Sequence, residues 1–94
     1  MARATKATLE QVAPLLGEVR DLGIDGLVEK ANGAFYQRRV GILHFHEDGD
    51  GVYADVKVGG VWERVQIDDR EGKREVIGML EAEYLRGPPT RTRR

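Results

Sequence analysis

Ninety-four residues suffice for one domain with a modest core and exclude a second. The chain holds no cysteine and no serine, which excludes a disulfide framework, a zinc ribbon and a serine or thiol nucleophile. The net charge of −1 hides an uneven spread: all 16 acidic residues lie between Glu10 and Glu83, where nine basic residues leave a balance of −7, while Arg3, Lys6, Arg86, Arg91, Arg93 and Arg94 make the ends basic.

An acidic body argues against a broad phosphate-binding surface, and the basic ends read as solvated tails. The composition, 33% charged and 40% apolar with a mean hydropathy of −0.47, is that of a soluble globular domain. No apolar run exceeds four residues, so neither a signal peptide nor a membrane span is expected, and the protein is read as cytoplasmic.

In chain order, residues 1–7 and 87–94 read as flexible basic termini around a single α+β domain over 8–86. Thr8 is placed to cap a helix, with Gln11 as its capping-box partner. Leu9, Val12, Leu15, Leu16, Val19 and Leu22 then follow helical spacing. Pro14 lies inside that run and kinks the helix or moves its start to Ala13, which leaves a helix over at least 14–22. Ile24, Leu27, Val28 and Ala31 suggest a second short helix, stopped by Asn32-Gly33 in a left-handed cap.

From Ala34 the period changes to alternation. Residues 35–46 read as one long strand, 51–58 as a second and 61–67 as a third. Asp48-Gly49-Asp50-Gly51 and Gly59-Gly60 are hairpin turns, because these residues tolerate positive φ. Asp68 or Asp69 caps a last helix reaching about Leu85, with Val76, Ile77, Leu80 and Tyr84 on its apolar face and Gly87-Pro88-Pro89 as its stop. The expected fold class is α+β: a three-stranded antiparallel β-meander with helices on one face, in the order α(α)-β-β-β-α.

Taking 48–51 as the first turn sets Leu43 opposite Val56, His44 opposite Asp55, Phe45 opposite Ala54 and His46 opposite Tyr53. Taking Gly59-Gly60 as the second sets Lys57 opposite Trp62, Asp55 opposite Arg64 and Tyr53 opposite Gln66. Leu43, Phe45, Val52, Ala54, Val56, Val58, Val61, Val65 and Ile67 then share the core face, with Glu63 their one misfit. His44-Asp55-Arg64, His46-Tyr53-Gln66 and Ile42-Lys57-Trp62 form rows on the other. A slip of one residue would set Leu43 and Phe45 against Asp55 and Tyr53, so the apolar match fixes the register. Opposed side chains are about 5 Å apart at Cβ, so Asp55 is expected to favour a protonated His44 while Arg64 keeps it ionised.

Three chemistries follow. His44 and His46 point to one side of a strand, a pair suited to a metal, with Asp55 as third ligand and Glu47, Asp48 or Asp50 as further donors. The turn itself lacks the 12-residue pattern of a calcium loop. His44 beside Asp55 resembles an oriented base and Arg64 an anion holder, but no serine, cysteine or glycine-rich phosphate loop accompanies them. Finally, His44, His46, Tyr53, Asp55, Lys57, Trp62 and Arg64, with Tyr36 and Ile42, form an apolar-aromatic face rimmed by charge, suited to a partner contact. The element order looks like that of a double-stranded RNA-binding domain, with Lys73 and Arg74 opening the last helix. Asp68, Asp69, Glu71 and Glu75 interleave there and argue against nucleic acid.

Phe35-Tyr36, the 43–48 stretch Leu-His-Phe-His-Glu-Asp, the 52–57 stretch Val-Tyr-Ala-Asp-Val-Lys and the 62–65 stretch Trp-Glu-Arg-Val together resemble a family of small bacterial proteins with no assigned activity. The resemblance covers residues 34–67 and implies a domain of that kind without a mechanism or cofactor. This chain departs from the family pattern at Gly49-Asp50-Gly51, where a proline-containing or apolar turn is usual. The outline is also similar to the TfoX N-terminal and YjbR-like small domains, in architecture alone. The sequence therefore points to a binding or assembly module working through the open sheet face, as a homodimer. The alternative is a metal- or anion-binding protein, or an enzyme, built on His44, His46, Asp55 and Arg64; RNA binding ranks last.

Overall fold

The computed structural model of the chain describes residues 2, 3 and 5–85. Its elements run β1 (Ala2–Arg3), α1 (Lys6–Gln11), α2 (Ala13–Asp21), β2 (Leu27–Glu29), β3 (Phe35–Gln37), β4 (Val40–Asp48), β5 (Gly51–Val58), β6 (Val61–Gln66) and α3 (Arg70–Leu80), the last closing in a π-helical turn, Glu81–Leu85. The sheet has the order β2-β3-β4-β5-β6, antiparallel throughout. β5 lines one edge of β4, and β3 lines the other only as far as Leu43. β1 extends that second edge, with Arg3 opposite His46. The fold is α+β with an antiparallel sheet, wider than the three-stranded meander expected.

Two of the three extra strands, β2 and β3, come from segments with misleading local signals. Leu27–Glu29, expected to be helical, is a strand because Gly23 and Gly26 hold positive φ and break the helical path before it. Asn32-Gly33 then closes a hairpin rather than a helix: Lys30 N–H donates to the Ala34 carbonyl at 2.8 Å, and Ala34 N–H to Asn32 Oδ1 at 3.1 Å. The long strand expected over 35–46 is split by Arg38 and Arg39, whose φ values of 50° and 73° form a two-residue turn. Such a turn ordinarily takes Asn-Gly, since each left-handed non-glycine residue costs about 1–2 kcal/mol.

Within the β4-β5-β6 meander the register is the one the apolar alternation predicts, from Leu43↔Val56 to Asp48↔Gly51 and from Tyr53↔Gln66 to Val58↔Val61. The first turn is tighter than expected, with Gly49 and Asp50 as its two loop residues. The core collects Val12, Leu15, Leu16 and Val19 from the N-terminal helices, Phe35, Leu43, Phe45, Val52, Ala54, Val56, Val65 and Ile67 from the sheet side, and Val76 and Leu80 from α3. Val61, expected in the core, lies on edge strand β6 and is 59% exposed, while Glu63 reaches solvent from that same edge.

Ile42 is also displaced from its expected place on the open face, and is fully buried. β3 pairs Phe35 with Leu43 but Tyr36 with Gly41, so Ile42 is the extra residue of a bulge. The bulge turns Ile42 into the core beside Leu43 and leaves Gly41 on the opposite face.

Polar contacts seat the helices. β1 pairing brings Thr5 to Glu47, whose Oε1 accepts from Thr5 N–H at 2.9 Å, while Thr5 Oγ1 caps α1 by accepting from Thr8 N–H at 3.2 Å. The cap is therefore Thr5, three residues before the Thr8 expected, and β1 and the start of α1 occupy residues read as a tail. Pro14 sits in the first turn of α2, where its missing N–H costs nothing. Asp69 caps α3 through Gly72 N–H at 2.8 Å. Tyr84 Oη donates to the Lys57 carbonyl, and burial pushes its phenol pKa up. The expected stop at Gly87-Pro88-Pro89 and the tail 87–94 lie outside the described residues.

Two substitutions test this packing. A methyl group at Gly72 would lie 1.9 Å from the Gln66 carbonyl oxygen. Gly72→Ala should therefore cost about 3 kcal/mol in urea unfolding, and an unchanged midpoint would show that α3 does not approach β6 so closely. Arg39→Gly should raise stability by about 0.5–1 kcal/mol, because it relieves the positive φ; a loss would rule out a left-handed turn there.

Candidate functional site

The face opposite the helices is built by alternation. His44 and His46 on β4, Tyr53, Asp55 and Lys57 on β5, and Trp62, Arg64 and Gln66 on β6 all point away from the core. The three strands bring these eight side chains onto one face; of the other residues expected there, Tyr36 lies on β3 and Ile42 is in the core.

At its centre is Asp55, 9% exposed. Arg64 holds it with two parallel bonds, Nε to Oδ1 at 2.8 Å and Nη2 to Oδ2 at 3.0 Å. His46 Nε2 lies 3.0 Å from the same Oδ2. The Arg64 hydrogen bonds lower the Asp55 pKa below its usual 3.8, against the opposing effect of burial, with the charges of Arg64, His46 and His44 adding to the lowering.

The imidazole beside Asp55 is thus His46, where the row read from the sequence named His44. Backbone pairing sets His44 opposite Asp55 as expected. Side chains on a sheet nonetheless reach their diagonal neighbours two residues along, and here the diagonal contact wins. His44 instead stacks on Trp62, ring centroids 4.3 Å apart, with His46 edge-on to it at 6.0 Å. Trp62 reaches from β6 over β5 towards β4. A methyl group at Gly41 would lie 3.8 Å from Trp62 Cη2, 3.6 Å from Tyr36 Cε2 and 3.2 Å from His44 Nε2. Three rings converge over one glycine, whose place on this face is given by the Ile42 bulge.

Cations complete the face. Lys57 Nζ stands 4.7 Å from the Trp62 ring centre, Lys30 Nζ 5.6 Å from that of Tyr36, and the Arg64 guanidinium 5.7 Å from that of Tyr53. Val28, Lys30, Tyr36 and Arg39 line a shallow groove of about 370 Å³ at the β2–β3 edge. Val28, Lys30, Arg39 and Gly41 are absent from the site read in the sequence, which took 24–31 as helical and 35–46 as unbroken.

The acidic turn plays another part than the ligand-rich loop considered from sequence. Glu47 lies on the helix side, bound to Thr5, and its pKa is lowered by hydrogen bonds from the Thr8 side chain and the Thr5 backbone. Asp50 Oδ1 accepts from Tyr53 Oη at 3.2 Å; burial raises the Tyr53 phenol pKa, and the charge of Asp50 adds to it. Asp68 binds Val52 N–H at 3.0 Å and Gln66 Nε2 at 2.8 Å. What remains as a metal-binding set is His44, His46 and Asp55, whose donor atoms lie within 4.8 Å of one another. Two donors on one zinc ion are about 3.4 Å apart for bonds near 2.1 Å, a separation inside that limit, and His46 Nε2 and Asp55 Oδ2 are already 3.0 Å apart.

The sign of the Asp55 shift gives a pH test. A carboxyl lowered on folding contributes stability above its unfolded pKa, and loses it as pH falls through the folded one. Asp55→Asn should therefore be less stable than the wild type at pH 7, with the gap closing as the pH drops below 3.8. Urea unfolding across pH 2–7 measures it, and a gap independent of pH would mean that the charge of Asp55 plays no part.

No family model matches the chain, and no curated protein and no solved structure matches it either.

Proposed function

We propose that the protein is a binding module whose working surface is the sheet face opposite the helices. The observation that carries this reading is Trp62: 39% exposed, it lies across two strands with His44 against its ring and Lys57 above it. A large amphipathic ring held in place on a face rimmed by charge is the anchor that partner surfaces use. The Asp55–Arg64 pair stiffens the face around it. His44, His46, Tyr53, Asp55, Lys57, Trp62 and Arg64 are its contact residues, with the half-buried Tyr36 beside them. The resemblance of residues 34–67 to a small bacterial family belongs to the same proposal, as does a reducing, cytoplasmic setting for a chain without cysteine. Among the described residues no helix is long and apolar enough to cross a membrane.

Assembly of two copies through this face is the occupant that the sequence suggested. Sedimentation velocity over a wide concentration range tests it: a dimer in the wild type that Trp62→Ala dissolves would support it, and a monomer at every concentration removes the homodimer.

A second reading, metal binding, is favoured by the closeness of the His44, His46 and Asp55 donors. Arg64 would then be the group that orients the ligating carboxylate. It also offsets the charge of Asp55, so a cation gains little from long-range attraction and binding should be modest. With micromolar zinc the His44 and His46 ring signals should move together in NMR spectra, and His46→Ala should abolish the effect. Rings that stay still leave the cluster an ion pair with a stacked histidine beside it.

A further inference from the structure

We propose that this face takes single-stranded nucleic acid, with bases stacked on the Tyr36–His44–Trp62 row and phosphates held by Lys30, Arg39 and Lys57. The proposal rests on reading the helix-free face as the working surface, and it names the partner.

The first observation is how charge is segregated. Between Glu10 and Glu83 acids outnumber bases 16 to nine, so any cation there has acids to choose from. Arg20 takes Glu29 on the helix side and Arg38 takes Asp25. Lys30 and Lys57 instead stand over rings, and Arg39 makes no ion pair or side-chain hydrogen bond with a described residue. The one acid at the centre of the face, Asp55, is already bound by Arg64. The acids at its far end, Asp50 and Asp68, are bonded to Tyr53, Gln66 and Val52, with Asp48 exposed beside them. A second copy has little to offer these cations; a chain of phosphates matches them.

The second observation is the pitch of rings and cations. Tyr36 on β3, His44 on β4 and Trp62 on β6 are brought together over Gly41, and each end of the row carries a lysine. Each ring has an atom within 3.8 Å of that one point, so the three form a compact platform for one or two bases, with a cation at each side for the flanking phosphates. Rings that accept any base, set beside cations that follow a backbone, are how proteins hold single strands; a duplex hides its bases.

The third observation is the strained turn. Arg39 has φ 73° where glycine is favoured, and its side chain lines the groove with Val28, Lys30 and Tyr36. Strain retained at a residue with no partner in the described fold points to use of its side chain.

Fluorescence anisotropy of an end-labelled ten-residue oligothymidylate, titrated with the full-length protein in about 50 mM salt, tests the proposal. Saturable binding is expected, with log K falling against log salt at a slope of about −2, from three phosphate contacts at about 0.7 each. Trp62→Leu and Tyr36→Leu should each weaken binding about tenfold without changing the slope. Arg39→Gly should weaken binding several-fold and reduce the slope by about 0.7. It should also raise the unfolding temperature, so its loss of binding is not a loss of fold. The same sequence as a duplex should not compete. Absence of saturable binding overturns the proposal, as does binding that survives both Trp62→Leu and Arg39→Gly, which would then belong to the basic tail. Sedimentation of the same samples separates the two readings. A dimer that Trp62→Leu dissolves, without oligonucleotide binding, overturns nucleic acid and spares the face. A monomer indifferent to the oligonucleotide counts against both.

Discussion

One-sided burial governs this structure. Along β4 and β5 every second residue enters the core, and Leu43, Phe45, Val52, Ala54 and Val56 leave no choice of register, because a shift of one would bury Asp55 and Tyr53 and expose Phe45. Once that is fixed, the other side of each strand is fixed too. The histidines, Asp55, Arg64 and Trp62 share a face because their neighbours share a core. β1 and the first helix follow: Glu47 is the last core-side residue before the turn, and it is the group on which Thr5 and Thr8 are seated.

The face itself is organised by competition for Asp55. A buried carboxylate needs partners, and the planar fork of Arg64 supplies two bonds that a lysine could not supply together. That leaves one side of Oδ2 for a histidine. His46 takes it, and His44 is left to the tryptophan. The same carboxylate cannot serve Arg64 fully and a metal ion fully, so cation binding and the salt bridge oppose each other. Stacking asks for no such trade: Tyr36, His44 and Trp62 keep their positions whatever Asp55 holds.

Sequence made the meander and its site residues legible because strong signals coincided there: period-two alternation, glycine-rich turns and an apolar match across strands. The N-terminal half was less legible for physical reasons. Leu27 and Val28 fit helical spacing as well as a strand, and Asn32-Gly33 ends a helix or turns a hairpin equally well. Arg38-Arg39 carries no turn signal, since arginine disfavours the conformation it adopts there. The bulge at Ile42 follows from that hairpin and could not be read before it. The choice of His46 over His44 depends on diagonal reach across a sheet, which pairing alone does not specify. Thr5 as the cap depends on a pairing between residues 3 and 46, far apart in the chain.

Glu63 is the one charged residue on the core-facing side of β6, where Val61 and Val65 are its neighbours. As packing it is a flaw, since an aliphatic side chain would bury more surface. On the outermost strand it has another effect. A new strand laid against β6 would bring its own side chains over that carboxylate and strip it of water, at a cost that grows with the length of the pairing. At the opposite margin β2 is only three residues long. The sheet is closed to sideways growth at both margins, so fibrous edge-to-edge aggregation is resisted, and whatever joins this protein must arrive from above its plane.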